Sequence, residues 1–184
     1  MSPPRLYLAG PDIFRPDARE IAARQKALCE RHGFVGLHPL DTDQPPLPSP
    51  PATAMAIYRS NTALMTQADG VIANLTPFRG PSADAGTVFE LGWMVARGKP
   101  AFGYSVAGAL FRARSVASQT GARFDAGSGR WFDRAGLEIE DFGLHDNLMI
   151  DCALRDGGFP MVIGAEPLPA FEACLEAART WFAG

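Results

Sequence analysis

The sequence predicts a single-domain α/β protein, built on a flavodoxin-like, doubly wound sheet of five parallel strands with helices on both faces. Short apolar runs alternate with longer segments of helical spacing, as in β-α units joined by right-handed crossovers. The chain has 184 residues, of which 47% are hydrophobic and 20% charged, which suits one sizeable core. We therefore expect one domain over residues 1–184, without internal repeats.

The first part of the chain predicts three strands and two helices, separated by residues typical of turns. Glycine or proline ends several of these segments, and the run HPLDTDQPPLPSPPA contains too many prolines for a helix or a central strand. We interpret that run as a loop. The predicted elements are a strand over 5–10, a helix over 16–33, a strand over 34–37, a helix over 53–68 and a strand over 69–75.

The second part continues this alternation. It predicts a helix over 84–98, strands over 99–105 and 158–164, and a C-terminal helix over 168–182. Residues 106–143 have the least regular pattern, and DAGSGRWFDRAG within them indicates a mobile excursion. Ligands of such sheets bind at the carboxyl ends of the strands, so AGPD, NLTPFRGPSAD and the residues after FGYS are the candidate binding loops.

Composition and charge favour a small-molecule ligand. The net charge of −3 gives no basic surface for a nucleic-acid polymer. No apolar run approaches the roughly 20 residues of a membrane span, and the start of the chain lacks a signal-like segment, so we expect a cytoplasmic protein without a membrane partner. Three scattered cysteines and three histidines show no metal-ligand spacing. We expect no metal and no cofactor.

Glu90 is the most informative residue, because it lies within the largely apolar run SADAGTVFELGWMVARGKP. Its helical neighbours Gly86, Thr87, Trp93 and Met94 cannot form an ion pair with it. A helical side chain leans toward the N-terminal turn, so the carboxylate should lie over Gly86, where no side chain blocks access. A buried, unpaired carboxylate titrates at raised pH or serves as a reactive group. The pattern favours a functional glutamate over an ordinary exposed one.

Asp84 has two interpretations of equal weight. It follows GPSA at the expected start of the helix, where it could cap the backbone or belong to the site. Six residues separate it from Glu90, which on one helix leaves the two side chains about 120° apart. They can converge only if Asp84 lies in the loop or the first turn.

Five further residues are candidates with competing structural explanations. Tyr7 belongs to the core or the site, Asp12 caps a turn or binds a ligand, and Asn147 caps a helix or binds a ligand. Phe14 and Phe78 are loop aromatics that either cover a planar ring or pack against other side chains. None of these residues is decisive alone.

Together, the segments YLAGPDIF, DGVIANLTPFRGPSADAGTVFELG and FGLHDNLMI resemble the nucleoside 2-deoxyribosyltransferases, particularly the branch with a PFRG loop. The segments occur in the family's order and span most of the chain. The resemblance implies that Glu90 attacks the anomeric carbon and releases the base. A second base would then resolve the covalent deoxyribosyl-enzyme, with overall retention.

The resemblance also implies roles for three other residues around Glu90. Asp84 would hold hydroxyls of the sugar, and Tyr7 would hydrogen-bond and position Glu90. Asn147 would reach the 5′-hydroxyl from a neighbouring subunit. The implied partners are therefore a deoxynucleoside, a free nucleobase and further copies of this chain in a homo-oligomer with shared active sites.

On the base side, the resemblance points to Asn61 and Asp12. Asn61 falls where family members place an Asp or Asn near the base, and Asp12 lies in the loop after the first strand. An asparagine cannot act as a carboxylic acid, so protonation of the base is not assigned to residue 61. Pro45, Pro46 and Pro48 could stiffen a loop bordering the pocket and restrict water entry, or belong to a plain surface connection.

Two other functions compete with transfer. A deoxynucleoside 5′-monophosphate N-glycosidase would use the same fold and glutamate with water as acceptor. The first loop, GPDIFRP, has two prolines and few small residues, which suits a phosphate poorly and favours a free nucleoside. A non-catalytic nucleoside-binding module is the third alternative, and Glu90 argues against it. The sequence leaves the choice of purine or pyrimidine and the size of the oligomer open.

Overall fold

A computed structural model describes residues 2–42 and 49–184 of the chain. Eight strands and six α-helices lie in this part. The strands are β1 (Arg5–Ala9), β2 (Val35–Leu37), β3 (Gly70–Asn74), β4 (Ala101–Ser105), β5 (Arg123–Asp125), β6 (Arg130–Phe132), β7 (Glu138–Ile139) and β8 (Val162–Ile163). The helices are α1 (Ala18–Arg31), α2 (Pro50–Gln67), α3 (Ala85–Val95), α4 (Phe111–Ser118), α5 (Leu148–Asp156) and α6 (Pro167–Ala183).

The main sheet has the strand order β2-β1-β3-β4-β8, and every neighbouring pair is parallel. This arrangement confirms the predicted five-stranded, doubly wound fold. The chain moves from β1 outward to β2 and then returns to place β3 on the other side of β1. Strand order therefore reverses between β1 and β3, and the loops that follow these two strands border the crevice where such folds bind ligands.

Two apolar layers cover the sheet, one on each face. Side chains alternate along β1, so Leu6 and Leu8 pack with α1 and α6, whereas Tyr7 and Ala9 pack with α2, α3 and α5. Tyr7 is fully buried on its face. The alternation therefore directs the tyrosine toward the helix that carries Glu90.

The proline-rich run is only partly a loop. Pro39–Asp41 form a 3-10 turn, and α2 begins at Pro50 with the Ser49 hydroxyl accepting a hydrogen bond from the Ala52 amide at 3.4 Å. Proline fits the first turn of a helix because its missing N–H would have no helical partner there. The prolines at 45, 46 and 48 lie outside the described residues.

Residues 106–143, whose sequence pattern is the least regular, contain elements that hydrophobic periodicity did not predict. This segment contains α4 and a separate antiparallel sheet with the order β5-β6-β7. Phe124 and Trp131 pair across β5 and β6 with their ring centroids 5.5 Å apart. The turn between them is stabilised by Asp125, whose carboxylate accepts from the Ser128 amide at 2.9 Å. Small and polar residues that suggested mobility are thus the turn residues of a hairpin.

None of the helices in residues 2–42 and 49–184 combines the length and the apolar character needed to cross a lipid bilayer.

Candidate active site

Glu90 lies on α3 and is half-buried. The Tyr7 hydroxyl donates a hydrogen bond to Glu90 Oε1 at 2.6 Å, and the Asn61 amide of α2 approaches the same oxygen at 3.4 Å. No cation forms an ion pair with Glu90 in the described part of the chain. Three elements that are distant in sequence therefore meet at one carboxylate.

Burial controls the charge state of this glutamate. It raises the pKa of Glu90 from 4.5 to about 7, and the nearby charge of Asp84 adds to this effect. The hydrogen bonds from Tyr7 and Asn61 act in the opposite direction because they stabilise the ionised form. Burial, together with the Glu90 charge, also raises the pKa of the Tyr7 hydroxyl, which therefore stays a donor. The Glu90 carboxyl group therefore changes between its protonated and ionised forms near neutral pH.

Asp84 is the N-cap of α3. Its Oδ2 accepts from the Thr87 amide at 2.9 Å and from the Thr87 hydroxyl at 3.1 Å, which confirms the capping interpretation. The same carboxylate is close enough to raise the pKa of Glu90. Gly86 lies beside this cap, and a Cβ there would stand 3.1 Å from Asp84 Oδ2. Because the cap precedes the helix, Asp84 and Glu90 can face a common space despite their six-residue spacing.

Asp12 meets Asn74 where the strand order reverses. Asn74 ends β3, is buried, and donates from Nδ2 to Asp12 Oδ2 at 2.9 Å, while its Oδ1 accepts from the Thr76 amide at 3.1 Å. Gly10 is required here, since a Cβ at this position would lie 2.9 Å from Asn74 Cβ. Sequence reasoning missed Asn74, although a polar residue at the end of an otherwise apolar strand was an available signal.

The two loop aromatics contact each other. Phe14 and Phe78 stack with their centroids 5.3 Å apart and their planes 12° from parallel. Phe14 is 55% exposed, so this pair lies at the surface rather than in the core. The loops after β1 and β3 therefore join across the crevice.

A cavity of about 310 Å³ adjoins this aromatic pair. Its wall is mainly apolar, and it includes Asn61, whose amide approaches Glu90 Oε1 at 3.4 Å, so this one residue connects the cavity to the carboxylate. An apolar cavity with few polar groups is typical of a site for a planar organic ligand. Besides Asn61 it is lined by Ile13, Phe14, Arg19, Pro39, Leu40, Thr42 and Ile57.

Asn147 is the N-cap of α5, as one of its two interpretations predicts. Its Oδ1 accepts from the Met149 amide at 3.0 Å, and its Nδ2 donates to Glu140 Oε1 at 2.6 Å. Within the described chain, no hydrogen bond joins Asn147 to Glu90 or Asp84. Within the described chain, the side chain of Asn147 therefore acts as a helix cap.

Two of the three histidines make structural contacts. His32 lies between Glu172 and Glu176, with ring nitrogens 3.0 and 3.2 Å from their carboxylates. His38 caps the 3-10 turn by accepting from the Leu40 amide. Across residues 2–42 and 49–184, no cluster of three or more His, Cys, Asp or Glu side chains has the arrangement of a metal site.

One family of known proteins matches most of this chain. The family model for nucleoside 2-deoxyribosyltransferases matches residues 6–149. The chain belongs to this family. Members of the family act on deoxynucleosides and nucleobases, and the protein is accordingly an enzyme of the pentosyl-transferring glycosyltransferase class. The matched region contains the candidate residues from Tyr7 to Asn147. Membership of a PFRG-loop branch stays a prediction.

Three similar proteins extend the comparison. An uncharacterized protein of Schizosaccharomyces pombe is 36% identical over 171 residues, which are 86% of this chain and 81% of that protein. A 2-deoxyribosyltransferase from Leishmania mexicana has a solved structure that is 29% identical, with a TM-score of 0.68, covering 95% of this chain and 98% of that one. A conserved protein from Enterococcus faecalis shares the fold at 19% identity, with a TM-score of 0.58 and the same coverage.

Proposed function

We propose that the protein exchanges the nucleobase of 2′-deoxyribonucleosides through a covalent deoxyribosyl intermediate on Glu90, with net retention at the anomeric carbon. The observation that carries this proposal is the half-buried Glu90 carboxylate, which has no cationic partner in the described chain and is positioned by the Tyr7 hydroxyl at 2.6 Å. Such a carboxylate is oriented and only partly stabilised, as a nucleophile requires.

The geometry distinguishes the two carboxylate oxygens. The hydrogen bonds from Tyr7 and Asn61 both end on Oε1. Oε2 is therefore the atom that attacks C1′, while Tyr7 holds the plane of the carboxylate. Because Tyr7 is fully buried, it fixes this orientation without competing for the sugar.

The reaction then proceeds in two displacements. Glu90 Oε2 forms a bond to C1′ as the bond from C1′ to the base nitrogen breaks, and the leaving base takes the electron pair and a proton from solvent. The ring nitrogen of a second base attacks C1′, the ester bond to Glu90 breaks, and that base loses its proton to solvent. Two inversions give retention. Asn61 can donate a hydrogen bond to the base but cannot supply the proton.

Sugar recognition is proposed for Asp84 and Asn147. Asp84 lies close enough to Glu90 to raise its pKa. Both capping hydrogen bonds of Asp84 end on Oδ2, so Oδ1 can accept a hydrogen bond from a sugar hydroxyl. Asn147 would serve the site of a neighbouring subunit in a homo-oligomer. Its amide has a second N–H and a second lone pair beyond those bound to Glu140 and Met149, so capping and sugar binding are compatible.

The test combines a deoxynucleoside with a second free base and follows all four species by chromatography. Wild-type protein should exchange the bases, and Glu90→Ala should lose about three orders of magnitude in rate, as expected when a covalent step is deleted. Thr66→Ala, a change on the exposed surface of α2, is a matched control that should keep the wild-type rate.

Mass spectrometry with a slow 2-fluoro substrate should find the sugar adduct on Glu90. Near-normal exchange by folded Glu90→Ala, or an adduct on another residue, would remove Glu90 from the mechanism. Release of free sugar and base without exchange would favour the N-glycosidase, with a 5′-monophosphate as the substrate to try next. Stable binding without turnover would favour a nucleoside-binding module.

A further inference from the structure

Arg79 is an exposed arginine in the loop between β3 and α3, with an unusual backbone conformation. Its φ is 56°, a left-handed value that side chains other than glycine rarely adopt. Its guanidinium makes no ion pair with any residue of the described chain. Backbone strain of this kind persists only where the surroundings hold it, and it concentrates at ligand sites.

The guanidinium rests on the aromatic pair. Arg79 Cζ lies 4.7 Å from the Phe78 ring centroid and 5.2 Å from that of Phe14. A guanidinium placed over an aromatic face keeps its N–H groups in its own plane, directed to the side. The rings therefore orient Arg79 without consuming its hydrogen-bond donors.

The loop that carries Arg79 is held at both sides of its tip. Phe78 and Ser82 are joined by a backbone hydrogen bond of 3.0 Å. Beyond the tip, Arg114 Nε donates to the Pro81 carbonyl at 2.8 Å, and the Ala83 amide donates to the buried Asp146 at 3.0 Å. Arg79 is thus presented from a fixed loop.

Arg79 does not line the cavity of about 310 Å³, but it contacts Phe14, which does. Phe14, over which the guanidinium is placed, lines this cavity together with Asn61, which contacts Glu90. The apolar residues Ile13, Leu40 and Ile57 line the same space, and an apolar wall suits the face of a nucleobase better than a sugar. If a base binds in this cavity with its glycosidic nitrogen toward Glu90, a different edge of the base faces the loop that carries Arg79.

We infer that Arg79 is a specificity-determining residue that selects 6-oxopurines by donating two hydrogen bonds to O6 and N7 of the base. This inference rests on the proposed function. The two acceptors lie on one edge of guanine and hypoxanthine and match the fork of a guanidinium. Adenine places an amino donor beside N7, which opposes one of the N–H groups, and pyrimidines have no N7. Deoxyinosine and deoxyguanosine are therefore the preferred donors.

The first experiment compares kcat/KM for deoxyinosine and deoxyadenosine as donors to one common acceptor base. Arg79→Ala should lower the value for deoxyinosine about 10- to 100-fold and leave that for deoxyadenosine within about threefold. Arg79→Lys should recover only part of the loss, because an ammonium cannot form the paired hydrogen bonds. Arg97→Ala is the matched control, since Arg97 is also exposed and stacked, 3.9 Å from the Trp93 centroid, and should change neither value.

The second experiment measures binding of free hypoxanthine and adenine by calorimetry, which needs no turnover. Wild type should prefer hypoxanthine, and Arg79→Ala should bind the two bases equally. Equal losses for both bases, or no loss, would overturn the assignment. Deoxyinosine 5′-monophosphate is therefore added as a third donor in the first experiment, and a loss confined to it would overturn the assignment and make Arg79 a phosphate ligand. If wild type shows the binding preference but exchanges no base, the proposed function fails while the role of Arg79 stands.

Discussion

At the scale of single residues, the raised pKa of Glu90 makes the stability of the folded protein depend on pH, and the same ionisation is required for the proposed reaction. The folded pKa of about 7 exceeds the ordinary value of 4.5, so folding favours the protonated form. Below pH 4.5, Glu90 is protonated in both the folded and the unfolded state, so burying it costs no free energy of ionisation. The cost of burying the charge grows as the pH rises from 4.5 to 7 and is complete above 7.

Glu90→Gln should therefore stabilise the protein at pH 8 and leave its stability unchanged at pH 4.5. We expect a gain of about 1–3 kcal/mol at pH 8, reduced by solvent because the side chain is only half-buried. Urea unfolding of the wild type and the variant at both pH values measures this difference in the free energy of unfolding. Glu20→Gln, on the exposed face of α1, is the control. A variant that is less stable than wild type at pH 8 would contradict the raised pKa.

Tyr7→Phe should move the pH profile of base exchange. Attack requires ionised Glu90, so kcat/KM of the wild type should fall about tenfold per pH unit below the pKa of about 7. The hydrogen bond from Tyr7 lowers the pKa of Glu90, so its removal should shift the acid limb to higher pH and reduce the maximal rate. An acid limb that stays in place, or moves to lower pH, would show that Tyr7 does not act through the charge of Glu90.

At the scale of elements, the buried Asp146 connects the loop before α3 to the start of α5. It accepts hydrogen bonds from the Ser82 hydroxyl, from the Ala83 amide at 3.0 Å and from the Asn147 amide at 2.8 Å. Arg114 lies 3.7 Å away and binds carbonyls on both segments. The candidate sugar-binding residues Asp84 and Asn147 are consequently held by one network.

Asp146→Ala should destabilise the protein by about 3–5 kcal/mol, because it leaves a partly buried arginine and several donors without their acceptor. Hydrogen exchange should accelerate first in residues 76–84. The control is Asp133→Ala, which removes a partly exposed carboxylate that accepts from the Leu137 amide in the small sheet and should cost far less. Equal destabilisation by the two variants would argue against a central role for Asp146.

Some elements of this fold can be predicted from the sequence, and others cannot. Hydrophobic periodicity predicted the main-sheet strands and four helices, since their burial patterns are regular. It failed over residues 106–143, where short strands are held by cross-strand aromatic pairs and turn residues that also occur in irregular loops. Glu90 could be recognised because its sequence neighbours are apolar. The position of Asn74 at the end of an apolar strand was also a signal, but the contacts of Asn74 with Asp12 and of Asp146 with Ala83 could not be predicted, since these partners are distant in sequence.

At the scale of the whole molecule, the described chain has exposed apolar side chains near the candidate site. Tyr58 and Phe89 lie on adjacent helices with ring centroids 6.4 Å apart, and both are about half exposed. Met149, two residues beyond Asn147, is 73% exposed. We propose that residues 1–184 form one domain and that these side chains contact other copies of it in a homo-oligomer.

Complementation between two inactive variants tests whether neighbouring subunits share each site. Glu90→Ala and Asn147→Ala should both be strongly impaired as homo-oligomers. In a mixed dimer with isologous symmetry, one site receives both substitutions and the other receives neither. Activity should therefore return to about half of the wild-type value per dimer, a fraction that follows from this symmetry.

The measurement uses differently tagged variants that are co-expressed and purified through both tags in succession. Asn147→Ala removes a helix cap, so Asn147→Ser, whose hydroxyl can still cap the helix without placing a second carboxylate beside Glu140, keeps the test valid if the alanine variant folds poorly. A wild-type and Glu90→Ala mixture prepared in the same way must stay active. Given that control, a mixed species no more active than its parents would place Asn147 outside its neighbour's site and leave each chain to bind its sugar alone.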